Sequence, residues 1–182
     1  MTKKGFSLVE LMVVLAIIGL LAITITSFNF NKKTDIEKRD RFIQKIESMI
    51  HTSKNTMISG KGVRLLTELI NPDTTHLYIG TGSVGIYYYS GTSIIGTGDV
   101  VNAPFYGEMG YMLTGAYWQN KNNNTGSINF PVEIIFNSDG NIAFSGSMPS
   151  GSGAVILGMG ISYHASQKNL ELDRRFGKTA IK

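Results

Sequence analysis

Residues 11–23 read LMVVLAIIGLLAI, thirteen positions without a charge, and their length decides what the chain can be. Extended outward from Phe6 to Phe28, the stretch holds 23 mainly apolar residues, broken near its start by Glu10. As a helix it would measure about 34 Å, against about 30 Å for the hydrocarbon layer of a bilayer. Such a segment is expected to span a membrane. An ordinary secretory signal would place a small-residue cleavage site after the run. Here the run passes into TSFNFNKKTDIEKRDRF (residues 26–42) with no such site. Before it stands only a basic stub, MTKKG, followed by FSLVE.

The periodicity continues beyond the span. Ile36, Ile43, Ile46, Ile50 and Met57 recur at steps of three, four and seven, with Phe42 and Met49 alongside, the pattern of a helix with one apolar stripe. One helix is expected to run from the span to about Ser59, with Gly60 and Gly62 as its stop. From Leu77 onward the sequence changes to short runs of Tyr, Ile, Val and Phe separated by Gly, Asn and Ser, as in an antiparallel sheet. Strands are expected at Val84–Tyr89, Ile128–Phe136, Asn141–Ser145, Ala154–His164 and Asn169–Arg174, with Ser138, Asp139 and Gly140 turning a hairpin. Residues 91–124 give no clear pattern. The fold class is therefore α+β: a long N-terminal helix, membrane-spanning in its first half and amphipathic in its second, packed on an antiparallel β-rich head. The segments are 1–5, a leader; 6–28, the span; 29–60, the amphipathic continuation; and 61–182, the head with a basic C-terminal tail.

Composition narrows the chemistry. The 182 residues include no cysteine, which removes disulfides, thiolate metal sites and a Cys nucleophile. The net charge of +4 is unevenly laid out. Residues 1–64 carry eleven Lys/Arg against five acids, residues 65–167 only Lys121 against six, and residues 168–182 five against two. A basic stem, a weakly acidic body and a basic tail do not make a general nucleic-acid-binding domain, although the tail has the charge to touch an anion locally.

Other motifs are better read as structure. Gly80, Gly82 and Gly85 spell G-x-G-x-x-G, but IYYYSG follows where a dinucleotide-binding loop needs a helix, so they read as glycines of a β-turn. His51, His76 and His164 lack the spacing of a zinc site. Asn137, Asp139 and Asn141 alternate oxygen atoms around Gly140, yet no bidentate Glu follows, which favours a turn over a calcium loop. No metal or cofactor is assigned. Tyr87, Tyr88 and Tyr89, with Tyr117 and Trp118, suit sheet packing or a ligand or subunit surface; strand alternation lets at most two of the first three share a face. No triad, carboxylate pair or nucleophile elbow emerges, so no enzyme activity is expected.

The short basic leader, Gly5, Phe6, Glu10 and the immediate apolar run together resemble the type IV prepilin signature. The resemblance implies cleavage between Gly5 and Phe6 by a prepilin peptidase, N-methylation of Phe6, and a pairing of Glu10 with the N-terminal amine of a neighbouring subunit. A carboxylate deep in a bilayer costs about 2.5–3.5 kcal/mol on insertion scales, and Glu10 finds only Ser7, Val13 and Val14 as company in its own helix, so a cation from another chain is the expected partner. KNTMISGKGV (residues 54–63), IIFNSDG, VILGMGISYH and LELDRRFGKTAI resemble the H-type minor pseudopilins and FimT-like minor pilins. Some FimT-like proteins bind DNA for uptake through a basic tail; the matching positions are Arg174, Arg175 and Lys178, with Lys182 beyond, in a stretch read as mobile that lacks the expected Gly-Arg order. Many pilins also carry a proline near Ser27, and this sequence has none there.

The resemblance thus implies a structural subunit, a minor pilin or pseudopilin, of a pilus, type II secretion pseudopilus or DNA-uptake fibre. Its partners would be the peptidase, other subunits of a helical filament, an inner-membrane assembly platform, the cytoplasmic membrane and, in the second reading, DNA. The precursor would be a single-pass inner-membrane protein with its N-terminus inside, and the mature form would stand in an extracytoplasmic filament. Lys3 and Lys4 precede the span while Lys32, Lys33, Lys38, Arg39, Arg41 and Lys45 follow it, so charge counting alone gives the reverse topology; the orientation comes from the resemblance. A membrane-anchored enzyme or binding protein is the reading of another class.

Overall fold

The computed structural model describes residues 7–27, 30–66, 68–103, 111–146, 153–163 and 166–182. The chain divides into two compact units, Met1–Asp35 and Ile36–Lys182. In the first, α1 runs Leu8–Ser27. Every side chain described in α1, from Leu8 to Leu21, is exposed, as follows from a helix apolar on all faces with no stripe to bury. Among the described residues no helix is long and apolar enough to cross a membrane; the expected span from Phe6 to Phe28 reaches residues outside them at both ends. Helix α2 runs Phe30–Ser59. The expected continuity of the two helices falls on residues 28 and 29, outside the described residues.

In the second unit α2 buries one stripe. Phe42, Ile43, Ile46, Met49, Ile50 and Met57 are each at most 4% exposed, and each such burial stabilises by about 1.5–3 kcal/mol as an upper estimate. Ser53 continues the stripe, and so does Arg39 at 2% exposure, which hydropathy alone places in solvent. Gly60 ends the helix with φ of 59° and its N–H donated to the Met57 carbonyl at 3.3 Å. A left-handed residue there satisfies a terminal carbonyl, and glycine adopts it without the Cβ penalty.

The strands are β1 (Val63–Leu65), β2 (Glu68–Ile70), β3 (Thr74–Ile79), β4 (Ser83–Ser90), β5 (Ser93–Asn102), β6 (Tyr111–Asn120), β7 (Thr125–Ile128), β8 (Val132–Asn137), β9 (Ile142–Gly146), β10 (Ala154–Tyr163), β11 (Ser166–Asp173) and β12 (Lys178–Ile181). They form a β1–β2 hairpin and two five-stranded sheets, ordered β12-β11-β10-β6-β7 and β5-β4-β3-β8-β9. All the described pairings are antiparallel. Alternation sets the core: Thr75, Leu77 and Ile79 of β3, Val84, Ile86 and Tyr88 of β4, and Val132, Ile134 and Phe136 of β8 point inward. All of these but Thr75 share one cluster with the apolar residues of the α2 stripe and with Leu157, Met159, Ile161, Leu170 and Leu172 of the other sheet.

Three expectations change. The single strand Ile128–Phe136 is two strands in different sheets, because Asn129, Phe130 and Pro131 interrupt it and proline cannot donate to a ladder. The Phe130–Pro131 peptide is cis. The sheet begins before Leu77, and residues 91–124 hold β5 and β6. The basic tail, expected as a mobile end, is paired as a strand. Residues 178–181 pair with β11, and Asn169 and Lys182 exchange backbone hydrogen bonds at 2.8 and 2.9 Å.

Candidate functional site

Gly5 and Phe6, the expected cleavage and methylation positions, lie outside the described residues. Glu10 is described, and with Ser7, already expected beside it, it makes a pair of hydrogen bonds that the sequence reading did not foresee. Its Oε2 accepts the Ser7 backbone N–H at 2.9 Å, while the Ser7 hydroxyl accepts the Glu10 N–H at 3.2 Å. Ser-x-x-Glu closed in this way is a capping box, which satisfies two orphan donors of the first turn. The carboxylate also meets the positive end of the helix dipole. Of the expected company in its own helix, Ser7 is thus a hydrogen-bond partner of Glu10. The signal was present in S7-x-x-E10 and was overlooked beside the apolar run. Cleavage after Gly5 would set a new amine one residue before the N–H that Glu10 already accepts.

At the other end, Arg174 to Gly177 form the turn between β11 and β12. Arg175 donates to Asp173 from Nε at 3.0 Å and from its terminal nitrogen at 2.6 Å, and its guanidinium lies 5.3 Å from the Phe176 ring centroid. That hydrogen bond, outweighing burial, holds Asp173 below the ordinary carboxylate range. Lys182 Nζ lies 2.7 Å from Glu171. Burial pulls Glu171 upward, but the Lys182 and Tyr117 hydrogen bonds and the Lys182 charge overcome it and leave its pKa lowered. Tyr117 donates its hydroxyl to Glu171; burial and that bond push the phenol up to about 12. Of the four expected DNA-contacting cations, two are thus paired within the chain. Arg174 and Lys178 are exposed. Lys54 of α2 joins them, donating to the Phe176 carbonyl at 3.2 Å. Nothing in sequence spacing brings Lys54 to this turn.

Where α2 enters the second unit, Arg39 donates to Asp40 at 2.6 and 2.9 Å and to the Ser166 hydroxyl at 2.5 Å, and Lys168 reaches Asp40 at 2.8 Å. Burial raises the Asp40 pKa, and the Lys168 and Arg39 contacts reverse that and lower it. A carboxylate shared by two cations offsets the cost of burying Arg39.

The remaining candidates resolve locally. His51 Nε2 is 3.1 Å from the Thr179 hydroxyl, which donates to Glu47 at 2.6 Å. His76 lies between Glu133 and Thr74, and His164 lies outside the described residues. The Asp139 carboxylate accepts the Asn141 N–H at 2.9 Å, closing the β8–β9 turn. The Gly80 N–H donates to the Ser83 carbonyl at 2.9 Å in the β3–β4 turn, so Gly80 and Gly82 lie in a turn as expected, while Gly85 falls inside β4. Tyr88 points into the core, while Tyr87 and Tyr89 share the outer face. Trp118 packs against the core. Among the described residues, no group of three or more His, Cys, Asp or Glu side chains is placed to hold a metal ion.

Residues 1–26 match the family described as the prokaryotic N-terminal methylation motif. The chain carries the prepilin type of N-terminal signature, and the motif supports a type IV pilin-like protein. No curated protein and no solved structure matches the chain.

Proposed function

We propose that the chain is the precursor of a type IV filament subunit, a minor pilin or pseudopilin, whose activity is assembly. The observation that carries this reading is the methylation motif over residues 1–26, set on a helix whose side chains from Leu8 to Leu21 are all exposed and almost all apolar. A surface of that kind, exposed at every described side chain, calls for a cover. The bilayer covers it in the precursor and neighbouring subunits cover it in the fibre, with the N-terminus inside and the head extracytoplasmic. Prepilin peptidase cuts between Gly5 and Phe6, Phe6 is methylated, and Glu10 offers its carboxylate to the amine of an adjoining subunit. A pilus, a type II secretion pseudopilus and a DNA-uptake fibre all need such a part.

Intact-mass analysis of membrane-extracted protein tests the reading. Mature protein should begin at Phe6 with one added methyl group, and Gly5→Leu should block maturation. Protein that keeps Met1 to Gly5 in cells with an active prepilin peptidase would overturn it.

A second reading, DNA contact, rests on the exposed Arg174 and Lys178 beside Lys54 at the β11–β12 turn. Binding to double-stranded DNA would be weak, without sequence preference and steeply salt-dependent. Replacing Arg174 and Lys178 together with Ala should flatten the salt slope by up to about two units. No binding at low salt, or equal binding by the double variant, removes this reading and leaves the filament role.

A further inference from the structure

On the outer face of the β5-β4-β3-β8-β9 sheet, strand register gathers an aromatic cluster. Tyr78 of β3 stands opposite Gly85 of β4 and Glu133 of β8; Tyr87 stands opposite His76; Tyr89 stands opposite both Thr74 and Ile94. Tyr78, Tyr87, Tyr89, Ile94 and Glu133 line a cavity of about 220 Å³. We propose that this cavity binds a methylated ammonium group, the three tyrosines supplying the cage and Glu133 the countercharge.

The geometry suits that chemistry. The Tyr78 and Tyr87 rings meet at 88° with centroids 6.5 Å apart, so they form two walls at right angles rather than a closed stack. Tyr87 can lie down over its own strand because position 85 is glycine: a Cβ there would come within 3.1–3.3 Å of the ring. His76 stacks on one face of Tyr89, with ring centroids 4.0 Å apart and planes 24° from parallel, and leaves the other face for a ligand. His76 is itself fixed, with Nδ1 2.7 Å from Glu133 and Nε2 2.9 Å from the Thr74 hydroxyl. Thr74 does not line the cavity, so this chain of bonds orients the imidazole and does not aim a nucleophile at a ligand.

Size, polarity and charge narrow the class. Pockets for drug-sized ligands run about 300–1,000 Å³, so this cavity suits a head group. Tyrosine faces attract a cation, and a methylated ammonium makes apolar contacts with Tyr and Ile94 that a hydrated metal ion cannot. Among the described residues Glu133 bonds only to His76 through one oxygen, leaving the other for a ligand. Glu133 is the one charged side chain among the described residues that line the cavity, and a carboxylate there favours a cation over an anion.

The test is a ligand-observed NMR titration of the full chain in maltoside micelles, using choline and its uncharged isostere 3,3-dimethylbutanol. Choline should show saturable binding with a Kd of about a millimolar, and the isostere should bind at least about threefold more weakly, the scale of a partly exposed cation–π site. Glu133→Gln, which can still accept from His76, and Tyr87→Leu, which keeps the apolar area but not the π face, should each weaken choline by about threefold or more without moving the thermal transition far. Should Tyr87→Leu fail to fold, Glu133→Gln decides alone. Absence of choline binding, equal affinity for the isostere, or unchanged affinity in Glu133→Gln would overturn the proposal. Phosphocholine in the same titration identifies the source: binding as tight as choline assigns the site to head groups, weaker binding to free ammonium ions, and both support it.

Discussion

Helices α1 and α2 each hold one charged residue at the edge of an apolar pattern, and they treat it oppositely. Along α1, large apolar side chains are exposed from 46% at Val14 to 76% at Leu8, and Glu10 is exposed with them. Along α2, Ile43, Ile46 and Ile50 are at most 1% exposed, and Arg39 goes under with them at 2%. The difference lies in what covers the helix. The stripe on α2 fits a core that the same chain supplies, and its charge is buried with the adjacent Asp40 and with Ser166, which the fold brings to it. Every described side chain of α1 is exposed, and its carboxylate is satisfied by its own first turn.

The sharpest way to break this contrast is to remove the same kind of atoms from both helices. Ile46→Ala in α2 should destabilise the head by about 2–5 kcal/mol, read as a lowered thermal transition. Leu15→Ala in α1 should leave that transition in place, because Leu15 is 60% exposed. Equal losses in the two variants would mean that α1 is part of the head's core.

How far the sequence foretold this contrast depends on the range of the interaction. The α2 stripe, its Gly60 stop, the β8–β9 turn and the Tyr87–Tyr89 alternation were readable because each is set within a few residues. Arg39 was not. Its burial depends on Ser166 and Lys168, more than a hundred residues away, and a one-dimensional pattern assigns a lone Arg between Lys38 and Asp40 to solvent. The same limit hid the division of Ile128–Phe136 between two sheets and the docking of Lys54 against the β11–β12 turn. The Ser7–Glu10 box is the opposite case: a local signal, fully present in the sequence, passed over because the family resemblance already offered Glu10 a role.

A smaller effect is expected at the buried charge. Asp40→Ala strands the Arg39 guanidinium and should cost about 3 kcal/mol, the low end for breaking a buried pair, because Asp40 is itself 28% exposed. Arg39→Met leaves Asp40 with Lys168 and fills the space with an apolar chain, so it should cost about 1 kcal/mol or less. The two variants should also differ in acid. The folded pKa of Asp40 lies below its ordinary 3.8, so its contribution is whole above about pH 4 and fades as pH falls through the folded value. Thermal melts at pH 7 and pH 3 should therefore converge for Asp40→Ala more than for the parent. An Arg39→Met penalty equal to that of Asp40→Ala would show that the pair is held by packing instead of charge.

The smallest effect separates the two roles of Glu10. As a cap, Ser7 and Glu10 act together: Ser7→Ala should loosen the first turn of α1 by about 1 kcal/mol, and Glu10→Gln by less, since a Gln amide oxygen still accepts the Ser7 N–H. Amide exchange at residues 7 to 10, measured by NMR on full-length protein in micelles, reads that change directly. As a countercharge to a neighbour's amine, Glu10 acts alone, and only the loss of its charge matters. Incorporation into sheared filaments should then fall for Glu10→Gln and stay near parent level for Ser7→Ala, the reverse of their order in amide exchange. If both variants enter filaments in proportion to the stability of the first turn, the capping box accounts for Glu10 completely, and the countercharge is no longer needed to explain an acid at the head of an apolar helix.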